Sequence, residues 1–359
     1  RTLLGMEYGL SVMLRAFSRS CHRALLCGTH RYGTPSVGAG RQLHGEVQRH
    51  RSLVQIKGTE AGEFLQGLIT NDINHLQEGA TSMYAMLLNT QGRVLFDTIV
   101  YRKDQKNFLV ECDADKVTQL VRHLRMYRVR RKIDIDSIDN DYHVWCIFNP
   151  NLDFKDITQV DMESLYLNPR AESEALLELK DKVDVIVTRD PRMKYLGHRL
   201  IIPCNRTIKD IVPDIFYSEA KFKTLRYRLG VGEGMTELPS TKCLPLEANC
   251  DYLHGVSFHK GCYIGQELTA RTFHTGLVRK RYMPLIFSGD STDVPFDASV
   301  VNDKGKSVGK VRGCAGQYGI GLLRINECLA AKSLMVNDVQ VQTFRPAWWP
   351  FEASKEKMS

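Results

Sequence analysis

The amino-acid sequence predicts an α+β protein in which antiparallel sheets are followed by a small C-terminal β-barrel. The first observation is a series of three apolar runs, Tyr84–Leu88, Val94–Tyr101 and Phe108–Val110, separated by turns as in an antiparallel meander. The second is a helical spacing of apolar residues in Val117–Leu124, directly after that meander. The third is the pattern beyond Arg281, where short β-like runs alternate with turn residues at the spacing typical of a small barrel.

Size and composition are those of an ordinary globular protein. The chain has 359 residues, of which 43% are hydrophobic and 25% charged, and this excludes collagenous, coiled-coil and wholly disordered proteins. The length suits two domains of roughly 150 residues each, and the alternative is three small ones. Apolar runs fall well short of the roughly 18 residues that a transmembrane helix requires, so we expect no membrane span.

Residues 1–45 have the composition of a targeting leader. They hold six Arg and one acid, Glu7, so most of the net charge of +8 lies in this segment. An Arg-rich, Ser-containing segment that lacks acids after Glu7 is typical of mitochondrial import sequences, and the alternative is a disordered basic tail. We predict a leader that is disordered or removed and a protein of the mitochondrial matrix. The nearly balanced charge of the rest predicts no nucleic-acid partner.

The remaining elements follow from local patterns along the chain. Asp113 is suited to cap the helix after the meander, and Gly230 to end a later one. Residues 149–180 are polar and weakly patterned. The other predicted elements are a strand at Leu53–Ile56, a helix around Phe64–Ile69, a helix near Glu172–Lys180, strands at Val183–Thr188 and Arg199–Ile202, and a helix at Ser218–Leu229. The C-terminal segment Pro346–Pro350 is expected to pack back on the body.

A basic segment follows the predicted helix. Seven basic side chains occur in the eleven positions from Arg122 to Lys132. A solvated helix face is the commoner meaning of such a run, and the alternative is a site for a phosphate, a polyanionic tail or RNA. The balanced charge of the body makes RNA binding the least favoured function.

The ten cysteines are scattered along the chain and include no CxxC pair. This usage indicates reduced thiols and not a disulfide framework, and the spacing does not suit a zinc site. We expect most of these cysteines to be buried apolar residues.

The segment from His259 to Arg271 carries the clearest chemical signal. Gly261 and Gly265 leave the sulfur of Cys262 uncrowded. Lys260 and the N-terminus of a helix beginning near Ile264 both favour a thiolate, which is a nucleophile or a ligand for a soft metal. The alternative is a small buried cysteine at a tight turn. The residues expected to support the motif are Lys260, Gly261, Tyr263, Gly265, Gln266, Glu267 and Arg271, with Glu267 and Arg271 spaced to pair on the helix.

A single thiolate restricts the kinds of site that Cys262 can form. A catalytic cysteine needs a base, and His254, His259 and His274 are near only in sequence. An iron–sulfur cluster usually takes four protein ligands. If Cys262 is the ligand of a [2Fe–2S] or [4Fe–4S] cluster, the remaining thiolates must come from a second protein, and the cluster is shared and transient.

The string Lys260–Glu267, with Arg271 and Gly276 after it, resembles the signature of the folate-binding YgfZ-type proteins, which are relatives of the glycine-cleavage T protein, an aminomethyltransferase. Together with the leader, the chain is similar to the mitochondrial iron–sulfur cluster assembly factors of that family. The resemblance covers roughly residues 47–350. It also includes the shorter pieces Asn89–Arg93, Tyr127–Lys132, Pro245–Asn249 and Trp348–Pro350.

The resemblance implies an aminomethyltransferase-like fold of three lobes with antiparallel sheets and a C-terminal β-barrel around a central, folate-sized cavity. The implied organisation is a folate-binding-like α+β region at 46–278 with two interleaved lobes, the inner one at about 76–140. A barrel at 279–352 and a frayed tail at 353–359 complete it.

The resemblance also implies a function. The implied protein is an accessory factor for mitochondrial [4Fe–4S] assembly without catalytic activity of its own. It shares a cluster with an A-type scaffold protein through Cys262. The client apoenzymes are of the lipoate synthase and aconitase type. Glu247 matches the carboxylate that grips the pterin in the aminomethyltransferases, which makes tetrahydrofolate the implied cofactor.

The alternative function is a tetrahydrofolate-dependent aminomethyl transferase that uses Asp97 and Glu247. Aminomethyltransferases carry a pair of adjacent aspartates, whereas this chain has Phe96 before Asp97. Aminomethyl transfer also needs no thiolate, although the most distinctive residue here is a cysteine. Both departures favour the assembly function.

Overall fold

The computed structural model describes residues 43–152 and 185–350, apart from residues 214, 277, 290 and 292. The predicted leader up to residue 42, the helix predicted near Glu172–Lys180 and the tail at 353–359 lie outside the described residues. The last two residues assigned to the leader, His44 and Gly45, belong to a strand. Among the described helices, none has the length and apolar character needed to cross a bilayer.

Strands dominate the described chain, and the helices are short. The strands are β1 (His44–Val47), β2 (Arg51–Lys57), β3 (Ser82–Leu88), β4 (Val94–Asp104), β5 (Asn107–Asp113), β6 (Asp134–Ser137), β7 (Tyr142–Phe148), β8 (Ile186–Arg189), β9 (His198–Pro203), β10 (Phe216–Tyr217), β11 (Lys280–Phe287), β12 (Ser299–Asn302), β13 (Ser307–Ala315), β14 (Tyr318–Arg324), β15 (Leu334–Val336) and β16 (Val339–Gln342). The helices are α1 (Ala61–Gln66), α2 (Asn74–Gln77), α3 (Val117–Arg128), α4 (Lys221–Leu229), α5 (Gln266–Thr275) and α6 (Ile325–Leu329).

The first sheet has the strand order β3-β4-β5-β2-β6, and all neighbouring strands are antiparallel. The predicted meander is therefore confirmed as β3, β4 and β5. Asn89 closes the turn between β3 and β4, because its Oδ1 accepts the backbone N–H groups of Gln91 and Arg93 at 3.0 and 2.9 Å. Gly92 supplies the positive φ of +76° that this turn requires.

Asp113 does not cap the helix that follows, so this sequence prediction is wrong. Helix α3 begins at Val117 after a short 3₁₀ turn, and its first turn has no side-chain cap. The Asp113 carboxylate is buried instead and accepts hydrogen bonds from Arg51 Nη1 at 2.7 Å and from the Met235 N–H at 2.5 Å. Tertiary partners have displaced the local capping interaction.

The second sheet has the order β10-β1-β7-β9-β8, with β1 and β10 parallel and the other pairs antiparallel. Strand β1 precedes the first sheet in sequence and β7 follows it, so the first sheet is an insertion between two neighbouring strands of the second. Strands β8 and β9 correspond to two predicted strands. Helix α4 starts three residues later than predicted and ends at Gly230, as expected, where φ is +73°.

The C-terminal strands close into the predicted barrel in the order β11-β14-β13-β12-β15-β16. Val300, Val311 and Leu323 are among the buried apolar residues that fill it. Helix α4 packs on the barrel against β11, β13 and β14. The predicted return of the tail is confirmed: Trp348 is buried, and its Nε1–H donates to the Leu229 carbonyl at 2.7 Å.

Two apolar clusters connect these layers. One runs from both sheets into the barrel, and the other lies between the first sheet and helices α1 and α3. Five of the eight cysteines in the described ranges are buried, and all eight are free thiols, in agreement with the sequence analysis.

Candidate functional site

The loop that carries Cys262 is anchored to the C-terminal end of α1 and to the residues that follow it. The Lys260 ammonium donates to the carbonyls of Gln66 at 2.6 Å, Ile69 at 2.7 Å and Asn71 at 2.9 Å. Burial lowers the pKa of Lys260 to about 8, against the opposing effect of the Asp72 carboxylate. All three donors of the ammonium are used by carbonyls. Lys260 therefore holds the loop in place, and its predicted effect on the Cys262 thiolate stays a prediction.

Backbone hydrogen bonds tie down the loop on both sides of the cysteine. The Ser257 N–H donates to the Thr70 carbonyl at 3.1 Å, and the Ile264 N–H donates to the Gly67 carbonyl at 3.2 Å. The Thr70 hydroxyl donates to the Gly255 carbonyl at 2.6 Å. The cysteine is thus presented from a backbone with few alternative conformations.

Gly265 joins this loop to the turn between β3 and β4. Gly265 has a φ of +78°, and a Cβ built on it would lie 2.2 Å from the Asn89 carbonyl oxygen. A Cβ on Gly92 would in turn lie 2.9 Å from Leu268 Cβ. Two pieces of the family signature, 89–93 and 260–267, therefore meet through their glycines. Gly261 differs, because no atom lies within 4 Å of the position of its Cβ.

The other motif residues divide into buried and exposed groups. Gln266 Oε1 accepts the Tyr263 N–H at 3.1 Å and closes the loop before α5. The Tyr263 ring lies 4.9 Å from Lys260 Nζ, and burial raises the pKa of its hydroxyl. Glu267 and Arg271 are exposed on α5. The ion pair expected between them is absent from the described part of the chain.

Cys262 itself is exposed. Its thiol forms no hydrogen bond with any residue that the structure describes. In the same ranges, no group of three or more His, Cys, Asp or Glu residues has the geometry of a metal site. A metal centre at Cys262 would therefore require ligands beyond those described in this chain.

Glu247 borders a cavity of about 220 Å³ on the inner side of α5. The cavity is also lined by Thr269 and Thr272 of α5 and by Arg279 and Lys280 at the start of the barrel. Burial raises the pKa of the Glu247 carboxyl, and nearby cations including Lys280 oppose that shift. Within the described residues this carboxylate has no hydrogen-bond partner, and Thr269 Oγ1 is buried without one. The lining therefore offers two unused polar groups to a ligand.

Asp97 lies elsewhere and is already engaged. It is only 2% exposed, Arg51 Nη1 lies 3.3 Å from its Oδ1, and the Gly234 N–H donates to its Oδ2 at 3.1 Å. It is not among the residues that line the Glu247 cavity. The structure thus does not bring the two predicted folate carboxylates into one cavity.

Asp97 belongs to a buried ionic network that the sequence analysis did not identify. Arg199 is fully buried at its centre and donates to Glu111 at 2.5 Å, to Asp190 at 3.0 Å and to Glu233. The network joins both sheets to the 230–237 segment through Arg51, Asp97, Glu111, Asp113, Asp190, Arg192, Arg199, Arg226, Glu233 and Glu237. The sequence holds one signal of this network in strand β5. Glu111 lies two residues after the apolar Leu109 and therefore on the same, buried face of the strand, where a carboxylate needs a cation.

Two parts of the chain match known protein families. Residues 48–151 match the model of the GCVT N-terminal domain, and residues 279–351 match that of the CAF17 C-terminal beta-barrel domain. The mitochondrial iron–sulfur cluster assembly factor IBA57 of Mus musculus is 35% identical over 322 residues, which cover 84% of each chain. The Homo sapiens IBA57 is 34% identical over 338 residues, covering 89% of this chain and 88% of that protein.

The chain belongs to the IBA57 family of mitochondrial iron–sulfur cluster assembly factors. Membership confirms the family resemblance inferred from the signature and the predicted mitochondrial localisation. The fold also matches that of the glycine cleavage system aminomethyltransferase T from Bartonella henselae, with a TM-score of 0.64, 14% identity and coverage of 86% of both chains. This likeness confirms the aminomethyltransferase-like fold.

Proposed function

We propose that this IBA57-family chain is a non-catalytic accessory factor that holds a transient iron–sulfur cluster together with an A-type scaffold protein. The single observation that carries the proposal is the exposed Cys262 on an anchored loop. In this assignment Cys262 contributes one thiolate to a [2Fe–2S] or [4Fe–4S] cargo, and the scaffold contributes the remaining ligands. The cluster then passes to [4Fe–4S] apoenzymes of the lipoate synthase and aconitase type.

The surroundings of Cys262 suit a shared ligand. Lys260 and Gly265 order the loop internally, so that little conformational entropy is lost when a partner binds. The open space beside Gly261 leaves room for the partner backbone to approach the sulfur. A thiolate is also the ligand that iron–sulfur clusters prefer.

The test compares Cys262→Ser with Cys204→Ser, which removes the other exposed thiol of the described chain. Each variant is mixed anaerobically with an A-type scaffold and iron and sulfide, and the cluster absorbance and the complex on size-exclusion chromatography are measured. We expect Cys262→Ser to lose both signals and Cys204→Ser to keep them. If Cys262→Ser retains the cluster and the complex, the proposal is wrong.

Folate binding is a second candidate, favoured by the unpaired Glu247 carboxylate. A carboxylate of this kind accepts paired N–H donors from the amidine edge of a pterin, and the Thr269 hydroxyl offers a further contact. The cavity of about 220 Å³ is smaller than a typical site for a whole small-molecule ligand and suits the pterin end alone. Bound tetrahydrofolate would supply one-carbon chemistry, but Asp97 does not fit that role, because Arg51 and Gly234 already occupy its oxygens.

Turnover measurements separate the two candidates. An aminomethyl transferase would release a one-carbon unit to tetrahydrofolate at a rate that Cys262→Ser leaves unchanged and Glu247→Gln abolishes. We expect no such turnover from the wild-type chain, since no second free carboxylate lines the Glu247 cavity in the described residues.

A further inference from the structure

Helix α3 presents an outward stripe that mixes large apolar and basic side chains. Arg122, Arg125, Met126 and Val129 follow the i, i+3, i+4, i+7 spacing of a single helix face, opposite the buried Val117, Leu120 and Leu124. Met126 is 64% exposed and Val129 79% exposed, which places them among the most exposed large apolar residues of the described chain. The helix therefore has a second face, on which Arg125 contacts Ile135 and Asp136 while Met126 and Val129 are exposed.

Cations around this stripe outnumber the carboxylates that face them. No acid occurs between Val117 and Lys132. Asp136 pairs with Arg125 at 3.1 Å, and Glu60 and Glu63 pair with Arg131 at 3.4 and 2.9 Å. In the described chain, the charged groups of Arg122, Arg130 and Lys132 pair with no carboxylate, although the Lys132 backbone N–H donates to Glu60 Oε2 at 2.9 Å. Met126 and Val129 are thus bordered by positive charge that no carboxylate neutralises.

Val129 projects its side chain from a strained backbone. Its φ of 50° and ψ of −109° are unusual for any non-glycine residue, and for a β-branched residue they are a genuine outlier. Glycine would adopt these angles without strain. Strained residues cluster at functional sites, and Val129 has no packing role in the described fold because it is mostly exposed.

Helix stability and RNA binding explain this surface less well. Basic residues at a helix C-terminus are stabilising, which accounts for Arg128 and its hydrogen bond to the Ile133 carbonyl at 3.4 Å. That effect gives no reason for the exposed Met126 and Val129. A site for single-stranded RNA usually stacks bases on free aromatic rings, but the half-buried Tyr127 ring packs on His123 at 5.0 Å.

We propose that this stripe, together with Arg130 and Lys132 directly after it, docks the protein on an anionic phospholipid surface. Met126 and Val129 enter the boundary between headgroups and acyl chains, and Arg122, Arg130 and Lys132 bind lipid phosphates. With only two apolar anchors the contact is weak and reversible. It uses none of the residues of the Cys262 loop, and α3 packs mainly on β2, β5 and β6.

The first experiment measures insertion at the stripe directly. Met126→Trp in the full chain is mixed with vesicles of phosphatidylcholine and brominated phosphatidylglycerol, and tryptophan quenching is recorded. Leu329→Trp is the matched control, since Leu329 is 44% exposed at the end of the barrel helix α6. We expect quenching above the wild-type level for Met126→Trp only. Quenching at neither position, or equal quenching at both, overturns the proposal. Either result is also what tethering by the basic leader alone would give.

The second experiment separates the contributions of charge and apolar contact by vesicle sedimentation. One cation near an anionic surface strengthens binding about fivefold, so we expect the triple variant Arg122→Gln, Arg130→Gln, Lys132→Gln to bind roughly a hundredfold more weakly. Met126→Ser with Val129→Ser should also weaken binding, whereas the control pair Lys242→Gln with Lys304→Gln should not. Membrane docking would be contradicted if inorganic phosphate or RNA displaced the protein from the vesicles while Met126→Ser with Val129→Ser left binding unchanged. The ligand of the stripe would then be a soluble anion.

Discussion

Gly92 and Gly265 pack backbone against backbone, with the Cα of Gly92 lying 3.2 Å from the position that a Cβ on Gly265 would occupy. Through this contact the turn between β3 and β4 sets the position of the N-terminus of α5, and with it the end of the Cys262 loop. The residues are more than 170 positions apart in the sequence. Two features that appear as separate motifs along the chain are therefore one structural unit.

Gly265→Ala should destabilise the protein by at least about 2 kcal/mol. The added Cβ would lie 2.2 Å from the Asn89 carbonyl oxygen, and the φ of +78° is unfavourable for alanine. Gly261→Ala is the matched control and should change stability by less than about 0.5 kcal/mol, since open space surrounds it. Chemical denaturation measures both values. Equal losses for the two variants would contradict the glycine contact.

Arg199→Met should destabilise the fold by about 3–5 kcal/mol. The substitution leaves Glu111, Asp190 and Glu233 buried without their shared cation, and desolvated charges are costly when unpaired. Lys116→Met serves as control, because Lys116 pairs at 2.9 Å with the exposed Asp115 and such pairs contribute less than about 1 kcal/mol. Urea denaturation at neutral pH distinguishes the two. A small effect of Arg199→Met would show that the network is dispensable.

Stability should fall in acid partly because of His198. Burial and the nearby Arg189 lower the pKa of His198 to about 4, and both ring nitrogens lack a hydrogen-bond partner. Between pH 6.5 and 4 the unfolded chain binds a proton that the folded chain excludes, so stability decreases as the pH falls. The total is on the order of 3 kcal/mol for this one group.

His198→Leu tests this pH dependence. We expect the variant to show a shallower loss of stability between pH 6.5 and 4 in denaturation series, while His143→Leu, at an exposed position of β7, keeps the wild-type slope. An unchanged acid slope in His198→Leu would assign the effect to other groups.

Val129→Gly should stabilise the protein while weakening the proposed lipid contact. Glycine relieves roughly 1–3 kcal/mol of backbone strain, offset by about 0.5–1 kcal/mol of added chain entropy in the unfolded state. The melting temperature should therefore rise slightly, while binding to anionic vesicles falls. A variant that gains stability and keeps full vesicle affinity would separate Val129 from any membrane role.

Glu247→Gln should weaken tetrahydrofolate binding at least about tenfold, because it replaces one acceptor of a charged hydrogen-bond pair with a donor. Glu267→Gln is the control, since Glu267 is exposed on α5 and does not line the cavity. Equilibrium titration followed by fluorescence provides the affinities. Equal affinity in both variants would remove Glu247 from the folate site.

The sequence could predict the elements whose signals are local. Apolar alternation identified β3–β5, helical spacing identified α3 and α4, and the turn spacing beyond Arg281 identified the barrel. Gly230 ended its helix as expected, because glycine adopts the positive φ of a helix end without steric cost and this property does not depend on distant residues. These patterns are encoded within a few neighbouring residues.

The positions of charged side chains depended on long-range contacts. Asp113 has the residue type of a helix cap, and Lys260 that of a cation for a nearby thiolate, yet each binds groups far away in sequence. Desolvation is the physical reason: a charge carried into the interior by its strand or loop must find every available partner there. Local pattern gives no information on which partner that will be.

By itself the sequence determined the fold class, the barrel, the family signature and the presence of one distinctive cysteine. Only the tertiary structure decided that Cys262 is exposed, that Asp97 and Glu247 occupy different environments, and that Met126 and Val129 are exposed on the outer face of α3. Periodicity and turn chemistry act over a few residues, whereas exposure, pairing and cavity shape arise when segments far apart in the chain pack together and exclude water.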